Sequence, residues 1–233
     1  TKIAFVFPGQ GAQSVGMMSN WNDHQPIVQN IYDQASESLG YNLWKIVSEG
    51  PVDKLNQTEI TQPAMLCASV ACWQIANERE EIPRASMMAG HSFGEYSALV
   101  CSGSLRLQDA VTLVSYRGEL MQTAVPTGVG SMAAIIGLDD DSVVAACASV
   151  TRGVVEATNF NSTGQVVIAG NKAAVDEAMK NAKALGAKRV VLLSVSVPSH
   201  CSLMTDAADQ LFESLTNTEF KMPIIPVVHN QNA

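Results

Sequence analysis

Residues 90–94 read Gly90-His91-Ser92-Phe93-Gly94 and follow an apolar run, Met87-Met88-Ala89, that can end a buried strand. A serine on a sharp strand-to-helix turn needs neighbours without a Cβ, because the two backbones nearly touch there. Such a turn lifts the hydroxyl out of the sheet and over a helix N-terminus, where N–H groups face any oxyanion that develops. A pattern this short also arises in ordinary turns, so the serine needs partners. A hydroxyl becomes a useful nucleophile when a base takes its proton, and the chain has four histidines. His91 adjoins Ser92, so on a sharp turn its side chain points away. His24 lies in the polar stretch Trp21-Asn22-Asp23-His24-Gln25 and reads as surface. His229 lies inside an apolar strand and reads as a core histidine. His200 follows Pro198-Ser199, which holds an extended approach, and opens a helix at a hinge. It is the candidate base; a plain helix-cap histidine is the alternative.

Arg117 is the second informative residue. It lies three positions after Val114 and four before Met121, so its guanidinium projects from a mainly apolar helix face. An unpaired buried charge is costly. Arg117 therefore pairs with Glu95 or Glu119, or waits for a ligand that brings a carboxylate, which its planar fork can grip with two hydrogen bonds.

Periodicity predicts the elements that must hold these groups. Residues 2–7 form a continuous apolar strand of the kind buried in parallel sheets, and Pro8-Gly9-Gln10-Gly11-Ala12-Gln13 is a glycine loop. Ile27, Ile31, Ala35 and Leu39 recur at helical spacing until Gly40. A long helix is predicted from Pro63 to about Glu81, a strand near 87–90, a helix from 93 to about 102, and another from about 107 to 125, ended by Pro126. This alternation is the α/β signature.

The middle of the chain differs. Residues 130–137 read as a strand and Asp139 to about Val150 as a helix with an acidic start. Val154–Asn159 and Gln165–Gly170 read as strands around an Asn161-Ser162-Thr163-Gly164 turn. Asn171–Leu185 is a helix closed by Gly186, and Lys188–Leu193 is a strand. The order β-α-β-β-α-β is the ferredoxin-like split βαβ motif. The predicted organisation is an α/β body with a parallel sheet, residues 1–127 and 196–233, carrying an inserted ferredoxin-like subdomain, residues 128–195. The body resumes with a helix from about Leu203 to Leu215, and Pro226-Val227-Val228-His229 is another buried strand. A doubly wound sheet rarely finishes on a strand without its covering helix, so either the fold is smaller than this organisation or more chain lies past Ala233.

Composition narrows the function class. The 233 residues are 47% hydrophobic and 15% charged, the balance of a packed globular protein. No apolar run approaches the roughly 18 residues that span a bilayer, and the N-terminal apolar run is too short for a signal peptide. A cytoplasmic protein without membrane contact is expected. The net charge of −8 argues against nucleic acid. Five cysteines without a C-x-x-C pair read as reduced, buried thiols, and the histidines show no metal-ligand spacing. Lys172, Lys180, Lys183, Lys188 and Arg189 form a basic cluster in an acidic chain, suited to an acidic partner or to a solvated helix face.

Six segments in order carry a family resemblance: Phe7-Pro8-Gly9-Gln10-Gly11, Thr61-Gln62-Pro63-Ala64, Gly90 to Tyr96, Tyr116-Arg117-Gly118, Asn159-Phe160-Asn161-Ser162 and Val197-Pro198-Ser199-His200. Together they closely resemble the bacterial malonyl-CoA:acyl carrier protein transacylases of type II fatty acid synthesis, from residue 3 to the end of the chain. The resemblance implies an α/β-hydrolase-like body with a ferredoxin-like insertion. It implies that Ser92 carries the malonyl group as an ester, that His200 is general base and then acid, and that the N–H groups of Gln10 and Phe93 form the oxyanion hole. Arg117 would hold the malonyl carboxylate. Gln62, Met121, Asn159 and Asn161 would line the substrate pocket. Coenzyme A thioester and acyl carrier protein would be the partners, with no cofactor or metal, and a monomer is expected. Family members continue several tens of residues past the position of Ala233. That stretch holds a Gln-containing segment that orients the histidine and a Gly-Pro-Gly loop near the pocket. Two other readings share the elbow and base: a serine thioesterase or esterase, and a shortened, inactive chain acting as a binding scaffold.

Overall fold

Parallel strands need long crossovers, and the first part of the chain supplies them as helices. β1 (Ile3–Phe7) is followed by α1 (Gln25–Leu39), α2 (Leu43–Glu49), α3 (Val52–Leu55) and α4 (Thr58–Asn77) before β2 (Ala85–Gly90); α5 (Gly94–Cys101) and α6 (Leu107–Ala124) come next. Then follow β3 (Gly130–Ile136), α7 (Asp140–Ala148), β4 (Val155–Ser162), β5 (Gln165–Asn171), α8 (Lys172–Ala184) and β6 (Arg189–Leu192). A 3₁₀ turn at Ser202–Met204, α9 (Thr205–Thr216) and β7 (Val227–Val228) close the series. This computed structural model describes residues 2–21, 24–79, 82–126, 128–193, 195 and 197–231. The chain divides into two compact units, Thr1–Glu119 with Glu213–Ala233, and Leu120–Phe212. The helix end expected at Glu81 and the divisions expected at Thr127 and Ser196 fall outside the described residues.

In the first unit the sheet order is β1-β2-β7, all parallel. Phe7 stands opposite Gly90, so the loop after β1 and the turn after β2 leave the same carboxyl edge of the sheet, where α/β folds bind ligands. β1 is not buried on both faces, as its unbroken apolar run suggested. Ile3, Phe5 and Phe7 alternate with exposed Ala4 and Val6, the latter 71% exposed. Phe5 meets Trp73 of α4 edge-on at 4.8 Å. The core sets Val28, Ile31, Tyr32 and Ala35 of α1 against α4, and the buried Tyr32 hydroxyl donates to Ala64 O at 2.9 Å. Val28 and Ile31, so buried, contribute about 1.5–3 kcal/mol each.

α4 also corrects an expectation. It starts at Thr58, not at Pro63, which lies inside it. Proline has no N–H for the carbonyl four residues back, here Glu59 O. The Ser115 hydroxyl of α6 donates to that carbonyl at 3.1 Å. A neighbouring helix thus meets the acceptor that proline leaves open, and α4 runs through.

The second unit holds an antiparallel sheet in the order β4-β5-β3-β6. Ile135 pairs with Val166 on one side and Val190 on the other. One face packs Ala133, Ile135, Val166 and Ile168 against Val143 and Ala146 of α7 and Val175 and Ala178 of α8. The Asp139 carboxylate caps α7, accepting from Ser142 N at 2.8 Å, a contact worth about 1 kcal/mol. Asn161 and Ser162 belong to β4 rather than to a turn: Ser162 pairs with Gln165, and the loop is only Thr163-Gly164, with Gly164 at φ +77°.

Candidate active site

Close backbone contacts build the turn around Ser92. A Cβ on Gly90 would lie 1.9 Å from the Gly94 carbonyl carbon, and one on Gly94 would lie 2.6 Å from Phe7 O. A Cβ on Gly9 would meet the His91 ring at 2.7 Å, and His91 N donates to Phe7 O at 3.0 Å. The glycines therefore let β1, its loop and the start of α5 converge on one serine. Ser92 itself takes φ +54°, a left-handed conformation costly for a residue with a side chain, by about 1–3 kcal/mol. Phe93 is buried and stands directly before α5. Gln10 is exposed in the loop after β1, which is tied down by Gly11 N donating to Gln13 Oε1 at 2.9 Å.

Arg117 reaches the serine because α6 and α4 touch. A Cβ on Gly118 would lie 2.5 Å from Glu59 Cα, so only glycine allows this approach. One residue earlier, Arg117 Nη1 donates to the buried Gln62 Oε1 at 2.9 Å and Nη2 donates to Ser92 Oγ at 3.1 Å. The structure thus gathers Ser92, Gln62 and Arg117. Of the two alternatives for Arg117, the ion pair with Glu95 or Glu119 is not formed: among the described residues no carboxylate pairs with Arg117. Burial lowers its pKa from the ordinary value, opposed by the charges of Tyr96 and Glu95. Arginine stays protonated through such a shift, so the cation beside Ser92 persists at neutral pH.

Glu95 has other partners. Its Oε1 meets His229 Nδ1 at 2.6 Å, and its Oε2 accepts from Asn230 N at 2.9 Å and Asn230 Nδ2 at 2.5 Å. Burial alone would raise this carboxyl's pKa; the hydrogen bonds from His229 and Asn230 outweigh that and lower it. His229 is therefore no core residue. It lies beyond the two-residue β7, its side chain 57% exposed. Asn230 Oδ1 in turn accepts from Ser92 N at 3.0 Å. Neither Glu95 as an anchor nor Asn230 was visible in the sequence. The one available signal is a polar pair directly after a short apolar strand, at the edge where parallel sheets place their sites.

His200, Asn159, Asn161 and Met121 belong to the second unit. His200 takes φ +68° in the turn after Val197-Pro198-Ser199 and stands two residues before the 3₁₀ turn, rather than opening a helix itself. That turn is held from both ends. Pro198 packs where a Cβ on Gly130 would come within 2.3 Å of its ring. The Glu156 carboxylate of β4 accepts from Ser202 N at 2.9 Å and Ser202 Oγ at 2.5 Å. Asn159 and Asn161 sit where β4 slips register against β5, a feature that re-aims side chains. Asn159 is half-buried and Asn161 exposed. Met121 is buried with Val125, Val197 and Met204. Among the described residues no three His, Cys, Asp or Glu side chains cluster to hold a metal ion, and no helix is long and apolar enough to cross a membrane.

The profile of the acyl transferase domain family matches residues 4–231. The malonyl CoA-acyl carrier protein transacylase of Haemophilus influenzae is 54% identical over 230 residues, covering 98% of this chain and 74% of that protein. Its counterpart in Bacillus subtilis is 41% identical over 235 residues, covering 100% and 74%. Among solved structures, a malonyl-transacylase in complex with its type II polyketide synthase acyl-carrier protein superposes with a TM-score of 0.94 at 51% identity, covering 98% of this chain and 74% of that one. An acyl carrier protein S-malonyltransferase of Vibrio cholerae superposes with a TM-score of 0.92 at 52% identity, again covering 98% and 74%.

Proposed function

The chain belongs to the acyl transferase domain family, and on that premise we propose how its residues move a malonyl group from coenzyme A to the phosphopantetheine thiol of acyl carrier protein. Ser92 Oγ attacks the thioester carbonyl carbon while His200 takes the hydroxyl proton. The N–H groups of Gln10 and Phe93 hold the tetrahedral oxyanion; losing one such donor typically costs about 100- to 1000-fold in rate. The C–S bond then breaks, and the coenzyme A thiolate leaves with the proton from His200. In the second half the carrier thiol gives its proton to His200 and attacks the malonyl-serine ester, and Ser92 recovers its hydrogen. One thioester replaces another, so the task is to exclude water rather than to drive the reaction. No cofactor or metal enters these steps.

The observation that carries this reading is Arg117 Nη2 on Ser92 Oγ at 3.1 Å. A fixed guanidinium at the nucleophile suits an acyl group that ends in a carboxylate. On acylation Arg117 exchanges the hydroxyl oxygen for that carboxylate, and Gln62 holds its other nitrogen. Asn159 and Asn161 are assigned to the pocket as polar supports, and Met121 as an apolar one.

The strand order β4-β5-β3-β6 with helices on one face supports a ferredoxin-like subdomain, and the parallel sheet with its elbow supports an α/β-hydrolase-like body. Five free thiols suit the reducing cytoplasm. Lys172, Lys180, Lys183, Lys188 and Arg189 are exposed and contribute to docking the acidic carrier, their field tempered by Asp176 and Glu177 one turn before Lys180.

Transfer of radiolabelled malonyl from malonyl-CoA to phosphopantetheinylated carrier tests the reading. Label on the carrier is expected. Free malonate with no loaded carrier would make the protein a hydrolase instead.

A further inference from the structure

We propose that Asn230 is a positioning residue for the nucleophile: its side-chain amide clasps the main chain of Ser92 on both sides and holds the left-handed turn that aims the hydroxyl. The proposal rests on the role of Ser92 given above.

Ser92 is one of three non-glycine residues with positive φ among those described. Such a conformation persists only where its surroundings over-determine it. Asn230 Oδ1 accepts from Ser92 N at 3.0 Å, and Asn230 Nδ2 reaches Ser92 O at 3.4 Å. The amide therefore spans the residue from its N–H to its own carbonyl.

The clasp has one orientation. Ser92 N–H needs an acceptor, which only Oδ1 supplies. Glu95 is a carboxylate and needs a donor, which only Nδ2 supplies, at 2.5 Å. The Asn230 N–H donates to the same Glu95 oxygen at 2.9 Å. The other Glu95 oxygen, at 2.6 Å from His229 Nδ1, accepts a hydrogen from that ring. Glu95 thus fixes Asn230 through both main chain and side chain, and Asn230 fixes Ser92.

Asn230 arrives from far along the chain. β7 pairs with β2 at Met88↔Val227 and Ala89↔Val228, and both strands then leave the sheet at the same edge. The clasp also decides which donors serve the oxyanion. Ser92 N–H, bound to Asn230, is withheld from substrate, and the next N–H in the chain, that of Phe93, serves beside that of Gln10.

Single-turnover acylation of Ser92 by malonyl-CoA tests this in the full chain and in Asn230→Ala, Asn230→Asp and Asn230→Asp/Glu95→Gln. Displacing a reacting group by about an ångström costs roughly 100-fold, so Asn230→Ala should acylate roughly 10- to 100-fold more slowly. Its KM for malonyl-CoA should stay near the parent's, since Arg117 and Gln62 are untouched, and the pH of half-maximal rate should not move. Asn230→Asp keeps the shape but loses both Nδ2 donations and faces Glu95 with a second carboxylate. It should be at least as slow, and the double variant, which restores an amide–carboxylate pair, should regain part of the rate. Acylation within twofold of the parent in Asn230→Ala, or a loss lying wholly in KM, would overturn the proposal. If Asn230→Ala does not fold, the Asp variant and its rescue decide alone: parent-like rates, or no recovery in the double variant, would overturn it. A parent chain that malonyl-CoA does not acylate defeats the malonyl-transfer reading instead. Labelling of the same proteins by phenylmethylsulfonyl fluoride then reads the clasp, and equal labelling rates overturn it.

Discussion

The Arg117 guanidinium donates to the Ser92 hydroxyl oxygen at 3.1 Å, with no protein carboxylate paired to it among the described residues. Its pairing with buried Gln62 fixes its direction without neutralising it. On the proposed function that cation takes a carboxylate on the acyl group, which makes selectivity the first quantity to measure.

Arg117→Ala should lower kcat/KM for malonyl-CoA by roughly 30-fold or more, the scale of truncating one partner of a buried, charge-assisted pair. Acetyl-CoA, which has no carboxylate to lose, should gain relative to it. An unchanged malonyl-over-acetyl ratio in steady-state kinetics would remove Arg117 from its assigned role.

Gly118→Ala should act on the same site through the backbone, where α6 meets α4 one residue past Arg117. The new methyl would press on Glu59 Cα from 2.5 Å, and backbone cannot yield cheaply. Overpacking of this kind costs about 1–3 kcal/mol. Thermal unfolding should show a midpoint lowered by roughly 2–4 °C for each kcal/mol, and malonyl selectivity should fall with it as Arg117 is pushed off register. A variant as stable as its parent would mean that α4 and α6 do not meet as described.

Glu95 should govern acid stability. Its carboxyl titrates below its ordinary value of 4.5 because His229 and Asn230 hydrogen-bond the charged form, against the cost of burial. Tyr96 and Arg117 are the other ionisable groups electrostatically coupled to it. A group whose pKa is depressed by folding stabilises the fold above its unfolded value and loses that contribution as pH falls through its folded value. Thermal midpoints measured downward from pH 5 should therefore fall more steeply in the parent than in Glu95→Gln, which cannot titrate. Parallel curves would show that the carboxylate contributes nothing.

Charge reversal on α8, Lys180→Glu with Lys183→Glu, should raise the KM for acyl carrier protein and leave malonyl-CoA acylation alone, with the effect shrinking as salt is added. An unchanged carrier KM at low salt would place docking elsewhere.

What could be read in the sequence was local. The elbow was legible because its glycines are needed within five residues, and Arg117 because helical periodicity set it on an apolar stripe. The errors arose where a distant element completes a local one. Pro63 looked like a helix start, yet Ser115, 52 residues on, supplies the donor that lets α4 continue. β1 looked buried on both sides because its residues are apolar throughout, although only Ile3, Phe5 and Phe7 turn inward. Asn161 looked like a turn residue because Asn and Ser favour turns, but the hairpin turns on Thr163 and Gly164 alone. His229 and Asn230 sit 134 to 138 residues from the groups they hold, and a two-residue strand is too short to announce itself. No periodicity could connect them to Ser92.

The central claim is a malonyl group carried on Ser92. Mixing the protein with malonyl-CoA, quenching in acid and mapping the adduct by peptide mass spectrometry tests it most directly. The account predicts one malonyl ester per chain, on Ser92, absent in Ser92→Ala and formed far more slowly in His200→Ala. An unmodified Ser92 in the parent, or a malonyl group on another residue that survives Ser92→Ala, would contradict it.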